Sequence, residues 1–271
     1  MTDSTNPENL IGKGRTADVF SLDNGQILKL YKNWMPASEV EKEFQVTLCA
    51  YNAGVSVPQP YEFIQQEDRF GIVFQRIYGT SLLQELQSNP QNVARIARQL
   101  ADLHVMINQT PAPIGLPGQF DQIVHKIHRT DALSDREKEQ IIAHLHALPE
   151  DNCLCHGDFH PDNVLITEKG PVIIDWLTGT RGSAAGDFFR TIMIMTTSAM
   201  PAGIPRIKAV VLDLFRSLLV RNYQQQYLQK LPIVPEELSR WKLPVLAARL
   251  MEVEDYPIEK ENILKQIHSL M

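Results

Sequence analysis

Residues 155–166 read Cys155-His156-Gly157-Asp158-Phe159-His160-Pro161-Asp162-Asn163-Val164-Leu165-Ile166, and Val172-Ile173-Ile174-Asp175-Trp176 follows closely. Asp158, Asn163 and Asp175 carry short oxygen-bearing side chains, the ligand type that suits Mg²⁺. Val164-Leu165-Ile166-Thr167 and Val172-Ile173-Ile174 are β-branched apolar runs, and Glu168-Lys169-Gly170-Pro171 between them is a turn signal. The pattern predicts a hairpin that carries Asn163 and Asp175 to the same end of two paired strands.

Upstream, Leu10-Ile11-Gly12-Lys13-Gly14-Arg15-Thr16-Ala17-Asp18-Val19-Phe20 sets Gly12 and Gly14 between an apolar entry and a β-branched exit. Glycine lets backbone approach a phosphate closely. Asp23-Asn24-Gly25 is a hairpin signal between apolar runs at 19–22 and 26–30. The order is strand, turn, strand, which excludes a Rossmann dinucleotide loop, whose glycines must open a helix. Lys29 is the single basic residue amid Ile27, Leu28, Leu30 and Tyr31, placed mid-strand beside the glycine turn. Residues 38–54 predict a helix opened by Ser38 with Glu41 as a capping box and closed by Gly54. Further strands are expected at 61–64 and 70–74, joined by a charged turn.

Beyond residue 90 the apolar period changes from two to 3.6. Val93, Ile96, Ala97, Leu100, Leu103, His104 and Ile107 line one face of a helix through Gln109, with His104 read as a packed core histidine. Residues 110–120 read as a loop, and the basic cluster at 125–129 as a solvated helix face. A helix from Ser134 to Leu148 opens with a second capping box. Long helices are expected near 205–230 and 235–251, the second broken or kinked by Pro244, and a last one after Pro257.

The stretch 156–163 together with Ile174-Asp175-Trp176 resembles the signature of the aminoglycoside phosphotransferase and choline kinase family, small-molecule kinases with a protein-kinase-like fold. The resemblance implies an α+β, bilobal chain: a small nucleotide-binding lobe over 1–76, an antiparallel β-sheet with one helix, and a larger, mostly helical catalytic and substrate-binding lobe over 77–271. ATP would lie in the cleft. Asp158 precedes Asn163 by the kinase Asp-to-Asn spacing, which implies Asp158 as the base that accepts the acceptor's hydroxyl proton and Asn163 and Asp175 as Mg²⁺ ligands. Gly12 and Gly14 would cover the phosphates, and Lys29 would hold them while paired with a helical glutamate. Of Glu39, Glu41 and Glu43, the interval to Gly54-Val55-Ser56-Val57-Pro58 resembles the family's for Glu43, with Glu41 next. The segment 75–82 resembles the interlobe hinge, so Gln75 and Ile77 would meet adenine through main-chain groups. Asp187, in a Gly-x-x-x-x-Asp segment, would brace the catalytic loop.

Gly157 stands where protein kinases carry Arg, and neither Asp-Phe-Gly nor Ala-Pro-Glu occurs. A small-molecule hydroxyl is therefore the expected acceptor, ahead of an atypical protein kinase or a non-catalytic nucleotide-binding module. A polyamine acceptor would want acids such as Glu252, Glu254, Asp255 and Glu259. Choline would want an aromatic cage, for which Trp176, Tyr223, Trp241 and Tyr256 are candidates. A length of 271 residues with 44% hydrophobic content allows a sizeable core in one large domain or two lobes. A net charge of −6 argues against nucleic-acid or anionic-membrane partners. Cys49, Cys153 and Cys155 lack metal-type spacing and read as reduced thiols. Residues 1–8 are polar without a leader pattern, and no apolar run approaches the ~18 residues of a membrane span, so the expected location is cytoplasmic.

Overall fold

The computed structural model describes residues 7–113, 115–197 and 206–271. Along the chain run β1 (Leu10–Lys13), β2 (Ala17–Ser21), β3 (Gln26–Tyr31), α1 (Ala37–Asn52), β4 (Pro60–Gln66), β5 (Arg69–Gln75), β6 (Thr80–Ser81), α2 (Leu82–Ser88), α3 (Val93–Gln109), α4 (Gln119–Arg129) and α5 (Asp135–His146). Then follow β7 (Cys153–Cys155), β8 (Val164–Thr167), β9 (Gly170–Ile173), β10 (Thr180–Gly182), α6 (Ala184–Thr197), α7 (Arg206–Lys230), α8 (Pro235–Glu252) and α9 (Pro257–Leu270). The described residues fall into two compact units, one running through Gln84 and taking in Pro161–Gly179, the other formed by Glu85–His160 and Thr180–Met271. The class is α+β, as expected, with an antiparallel N-terminal sheet and a mostly helical remainder.

The first unit is built on a five-stranded sheet in the order β1-β2-β3-β5-β4. Asn24 and Gly25 both take positive φ, 62° and 72°, in the turn that joins β2 to β3. Asn-Gly tolerates that geometry better than other pairs, which is why the hairpin was legible. Strand alternation puts Ile27, Lys29 and Tyr31 on one face of β3 and Leu28 and Leu30 on the other. The first face packs with Ala17, Ile72 and Phe74 against Val40 of α1, the second with Phe20 and Val73.

Helix α1 buries Val40, Glu43, Val46, Thr47 and Ala50, a single stripe at helical spacing. Its C-terminus is a Schellman motif: the amide of Gly54, at φ 81°, donates to the Tyr51 carbonyl, and that of Val55 to Ala50, each at 3.0 Å. Its start departs from the expected Ser38 cap. The helix opens at Ala37 with Pro36 as N-cap and no side-chain cap bond. The Pro36 carbonyl accepts from the Glu39 and Val40 amides at 3.1 and 3.4 Å, so the helix begins before Ser38 can cap it and Glu41 stays exposed.

Strands β8 and β9 form the predicted hairpin, paired from Val164↔Ile173 to Thr167↔Gly170, and β6 adds beside β8. The Ile174 amide then donates to the Asn163 carbonyl at 3.0 Å, which ties the two ligand candidates to one end of the ladder.

In the second unit Ile127, Ile141, Leu145, Trp241, Leu246 and Ile263 form the core of a helical array, and β7 pairs with β10 through Cys155↔Thr180. Helix α4 begins at Gln119, inside the stretch expected as loop. Helix α5 opens with the predicted capping box, the Ser134 hydroxyl accepting from the Glu137 amide while the Glu137 carboxylate accepts from the Ser134 amide at 2.7 Å. Ser134→Ala should cost about 1 kcal/mol of stability in urea unfolding. Of the break or kink expected at Pro244, the break does not occur, and α8 runs through it. Pro244 has no N–H for the Arg240 carbonyl; His144 on α5 supplies one instead, donating Nε2–H at 2.8 Å.

The three cysteines are free thiols. Burial pushes Cys155 up and Cys153 to about 12, so neither presents a thiolate. No helix among the described residues is long and apolar enough to cross a membrane. The absence of a leader pattern was read mainly from residues 1–6, which lie outside the described ones.

Candidate active site

In the first unit the register across three strands runs Gly12↔Val19↔Lys29, so Lys29 shares a sheet face with the glycine turn. Its Nζ bonds Glu43 Oε1 at 2.7 Å and Asp175 Oδ1 at 2.9 Å. Glu43 reaches it because Glu43 lies on the buried stripe of α1; Glu39 pairs instead with Lys42, and Glu41 faces solvent. Tyr31, one residue beyond Leu30 on the Lys29 face, donates its hydroxyl to the other Glu43 oxygen. Tyr31 belongs to no motif, and its two-residue offset from Lys29 is the sequence signal that places it on the same face.

Burial opposes the charge on Lys29, but Asp175 and then Glu43 outweigh it and raise the ammonium well above its ordinary value. Lys29 is therefore cationic throughout the neutral range. Burial raises the Glu43 carboxyl against the pull of Lys29. Asp175 sits just past β9 with φ 66°, a left-handed conformation that short polar residues tolerate best. Trp176 behind it is buried, its indole N–H donating to the Ile173 carbonyl at 3.2 Å.

At the glycine turn the Gly14 amide donates to the Ala17 carbonyl at 2.8 Å. Gln75 ends β5, and its amide already donates to the Gln59 carbonyl at 2.9 Å, as that of Arg76 does to Gly25. Any base contact by Gln75 would thus use its carbonyl, whereas Ile77 lies beyond the strand.

Asp158 belongs to the second unit. Its amide donates to His156 Nδ1 at 3.2 Å, and His160 Nε2 lies 3.7 Å from its carboxylate. Burial pushes the carboxyl up, but the bond to His160 and the charges of His160, Arg190 and His156 outweigh it and hold Asp158 at about 2. The loop carrying it is fastened by Asp187, one oxygen of which accepts from the Gly157 amide at 2.8 Å. The other accepts from the His156 amide at 2.8 Å, His104 Nε2 at 2.9 Å and Asn108 at 3.1 Å. Because that carboxylate only accepts, His104 carries its proton on Nε2 and takes the Tyr223 hydroxyl on Nδ1. The ring of His104 stacks on Phe159 at 4.5 Å. His104 is thus the packed core histidine that its spacing predicted.

A family model, the phosphotransferase enzyme family, matches residues 9–227. The chain belongs to that family. Solved structures of similar fold include a thermostable mutant of aminoglycoside phosphotransferase APH(4)-Ia in ternary complex with AMP-PNP and hygromycin B (13% identity over 96% of this chain and 91% of that one, TM-score 0.65). Others are a choline/ethanolamine kinase family protein from Mesorhizobium loti (17%, 100% and 90%, 0.60) and amicoumacin kinase hAmiN with AMP-PNP and Ca²⁺ (16%, 97% and 89%, 0.61). No curated protein matches the chain in sequence. At these identities the structural likeness speaks for fold alone, a kinase-like fold.

Most of the candidate acceptor-binding side chains are engaged within this phosphotransferase. Trp176, Tyr223 and Trp241 are each no more than 1% exposed, so they are core and form no cage; Tyr256 alone of the four is exposed. Glu252 binds Lys126 at 2.6 Å, Arg190 at 2.9 Å and Arg249 at 2.8 Å, and Glu259 binds Arg249 at 3.0 Å. Their charge is spent inside the protein, and of the acidic patch only Glu254 and Asp255 face solvent unbound to that network.

For a metal, Asn163 and Asp175 offer an amide and a carboxylate oxygen at one end of the β8–β9 hairpin, a donor set that fits a hard cation. Among the described residues no three His, Cys, Asp or Glu side chains gather as a metal cage. A cation completing its shell with phosphate oxygens and water needs none.

Proposed function

We propose that this phosphotransferase moves the γ-phosphoryl group of ATP to a hydroxyl of a small molecule. The observation that carries the reading is Lys29, kept cationic and fixed at 2.7 Å from Glu43 and 2.9 Å from Asp175. A charged, pre-oriented ammonium on the sheet face of a glycine turn is suited to nucleotide phosphates. Gly12 and Gly14 give the turn the freedom to approach them, and the Gln75 carbonyl and Ile77 main chain serve the base. Asn163 and Asp175 would hold Mg²⁺, which when bound neutralises charge on the phosphates.

Asp158 orients the acceptor hydroxyl and takes its proton as the new O–P bond forms and the bond to departing ADP breaks. A carboxylate held at about 2 is a weak base, so orientation is its larger contribution, and the proton moves late. That order suits the loose transition state of phosphoryl transfer. The presence of AMP-PNP with hygromycin B in a structure of the same fold supports a nucleotide and a small-molecule acceptor here.

The test is ATP turnover with Mg²⁺ over aminoglycosides, choline, ethanolamine, homoserine and small sugars, with Asp158→Asn alongside. Turnover with one acceptor that collapses in the variant is the expected result. Binding of Mg·ATP with no transfer to any small molecule, or transfer only to protein, would sink the proposal.

A further inference from the structure

We propose that Glu252 is a positioning residue for the catalytic loop, acting through Arg190 on the Gly157 carbonyl beside Asp158. The inference rests on the phosphotransferase reading for its kinetic consequence and on geometry for the rest.

Helix α6 grips the Gly157 peptide from both sides. Asp187 accepts the Gly157 amide at 2.8 Å, and Arg190, one helical turn later, donates its Nε–H to the Gly157 carbonyl. Gly157 has φ 75°, and glycine moves readily among conformations, so the bonds around it help to define this one. An arginine side chain on its own has too much rotamer freedom to hold one carbonyl. Here the far side of the guanidinium is locked, with Nη2 bonding both Glu252 oxygens at 2.9 and 3.0 Å.

Glu252 is in turn overdetermined. Lys126 of α4 and Arg249 of α8 bond it at 2.6 and 2.8 Å, and Arg249 also reaches Glu259 of α9 at 3.0 Å. Burial would push the Glu252 carboxyl up, but Arg190, Lys126 and Arg249 outweigh it and hold it well below the usual range. Such a cluster is a poor source of stability, since the cost of desolvating its ions offsets most of their attraction. What it does produce is a fork fixed in one orientation. The position of Asp158 is therefore coupled to α4, α8 and α9 through Lys126, Arg249 and Glu259.

The experiment compares Glu252→Gln with wild type by hydrogen–deuterium exchange and by hydrolysis of Mg·ATP with water as acceptor. Loss of the charged lock should free Arg190 and speed amide exchange in peptides covering 155–160 by about tenfold or more, with exchange in 93–103 unchanged. In hydrolysis kcat should fall about 10- to 100-fold at constant KM for ATP, the signature of a displaced catalytic group. The double variant Arg190→Lys/Glu252→Gln should be no slower than Arg190→Lys alone, because both changes cut the same chain. Unaltered exchange at 155–160, equal acceleration in 93–103, or additive losses in the double variant would each overturn the inference. If wild type transfers nothing to water, the phosphotransferase reading still stands or falls on the acceptor panel, and the exchange result decides the positioning role.

Discussion

Asp158→Asn should lower kcat by about 10²-fold, the low end of the span for loss of a proton acceptor because a carboxylate held at about 2 is a weak base, and leave the KM for ATP within about twofold. Asn keeps one acceptor oxygen at nearly the same place, so a residual rate above that of Asp158→Ala measures orientation separately from proton acceptance. The surroundings fix the pH behaviour. His160 and Arg190 keep the carboxylate ionised down to about pH 2, below the value near 3.9 of an unfolded Asp. Titration of Asp158 therefore leaves kcat/KM flat from pH 8 to about pH 4, and any acid limb in that window belongs to another group. A limb near pH 6 that disappears in Asp158→Asn would contradict this assignment. So would a variant that loses only ATP affinity.

The parts that were legible have local causes. Asn163 and Asp175 were readable as neighbours because strand alternation and a Gly-Pro turn fix a hairpin within a dozen residues. Glu43 is distinguished by its interval to a downstream motif; the apolar positions Val40, Val46 and Ala50 exclude Glu41 from their face but leave Glu39 and Glu43 on it, and burial separates those two. The failures are tertiary. Arg190 and Glu252 lie 62 residues apart and no periodicity announces their pairing. An acidic patch and a set of aromatics are equally good descriptions of ligand sites and of core; burial decides, and it places Trp176, Tyr223 and Trp241 inside. Pro244 breaks a helix in isolation, but His144 satisfies the carbonyl that Pro244 cannot.

Asp187→Ala is expected to be the most destabilising single change, about 3–5 kcal/mol in urea unfolding, because it strands a set of donors that Asp187 alone collects. The carboxylate is 1% exposed and accepts from His104, Asn108 and the amides of His156 and Gly157. Asp187→Asn should cost less, about 1–3 kcal/mol, since its oxygen can still serve the three donors on one side while its NH₂ faces the Gly157 amide. The two variants also separate charge from connectivity through pH. Burial would raise the Asp187 carboxyl, but His104, Asn108 and Gly157 outweigh it and depress it far below 3.8. A depressed carboxylate stabilises the fold fully above the unfolded value near 3.9, and that contribution is lost as pH falls through the folded value, because the unfolded chain takes up the proton first. The stability gap between wild type and Asp187→Asn should thus be constant from pH 7 to about 5 and close below about pH 4 by up to about 1.4 kcal/mol per pH unit. Parallel acid limbs for the two proteins would mean that Asp187 is not held ionised by the loop it braces. Its effect on Asp158 would then be steric alone.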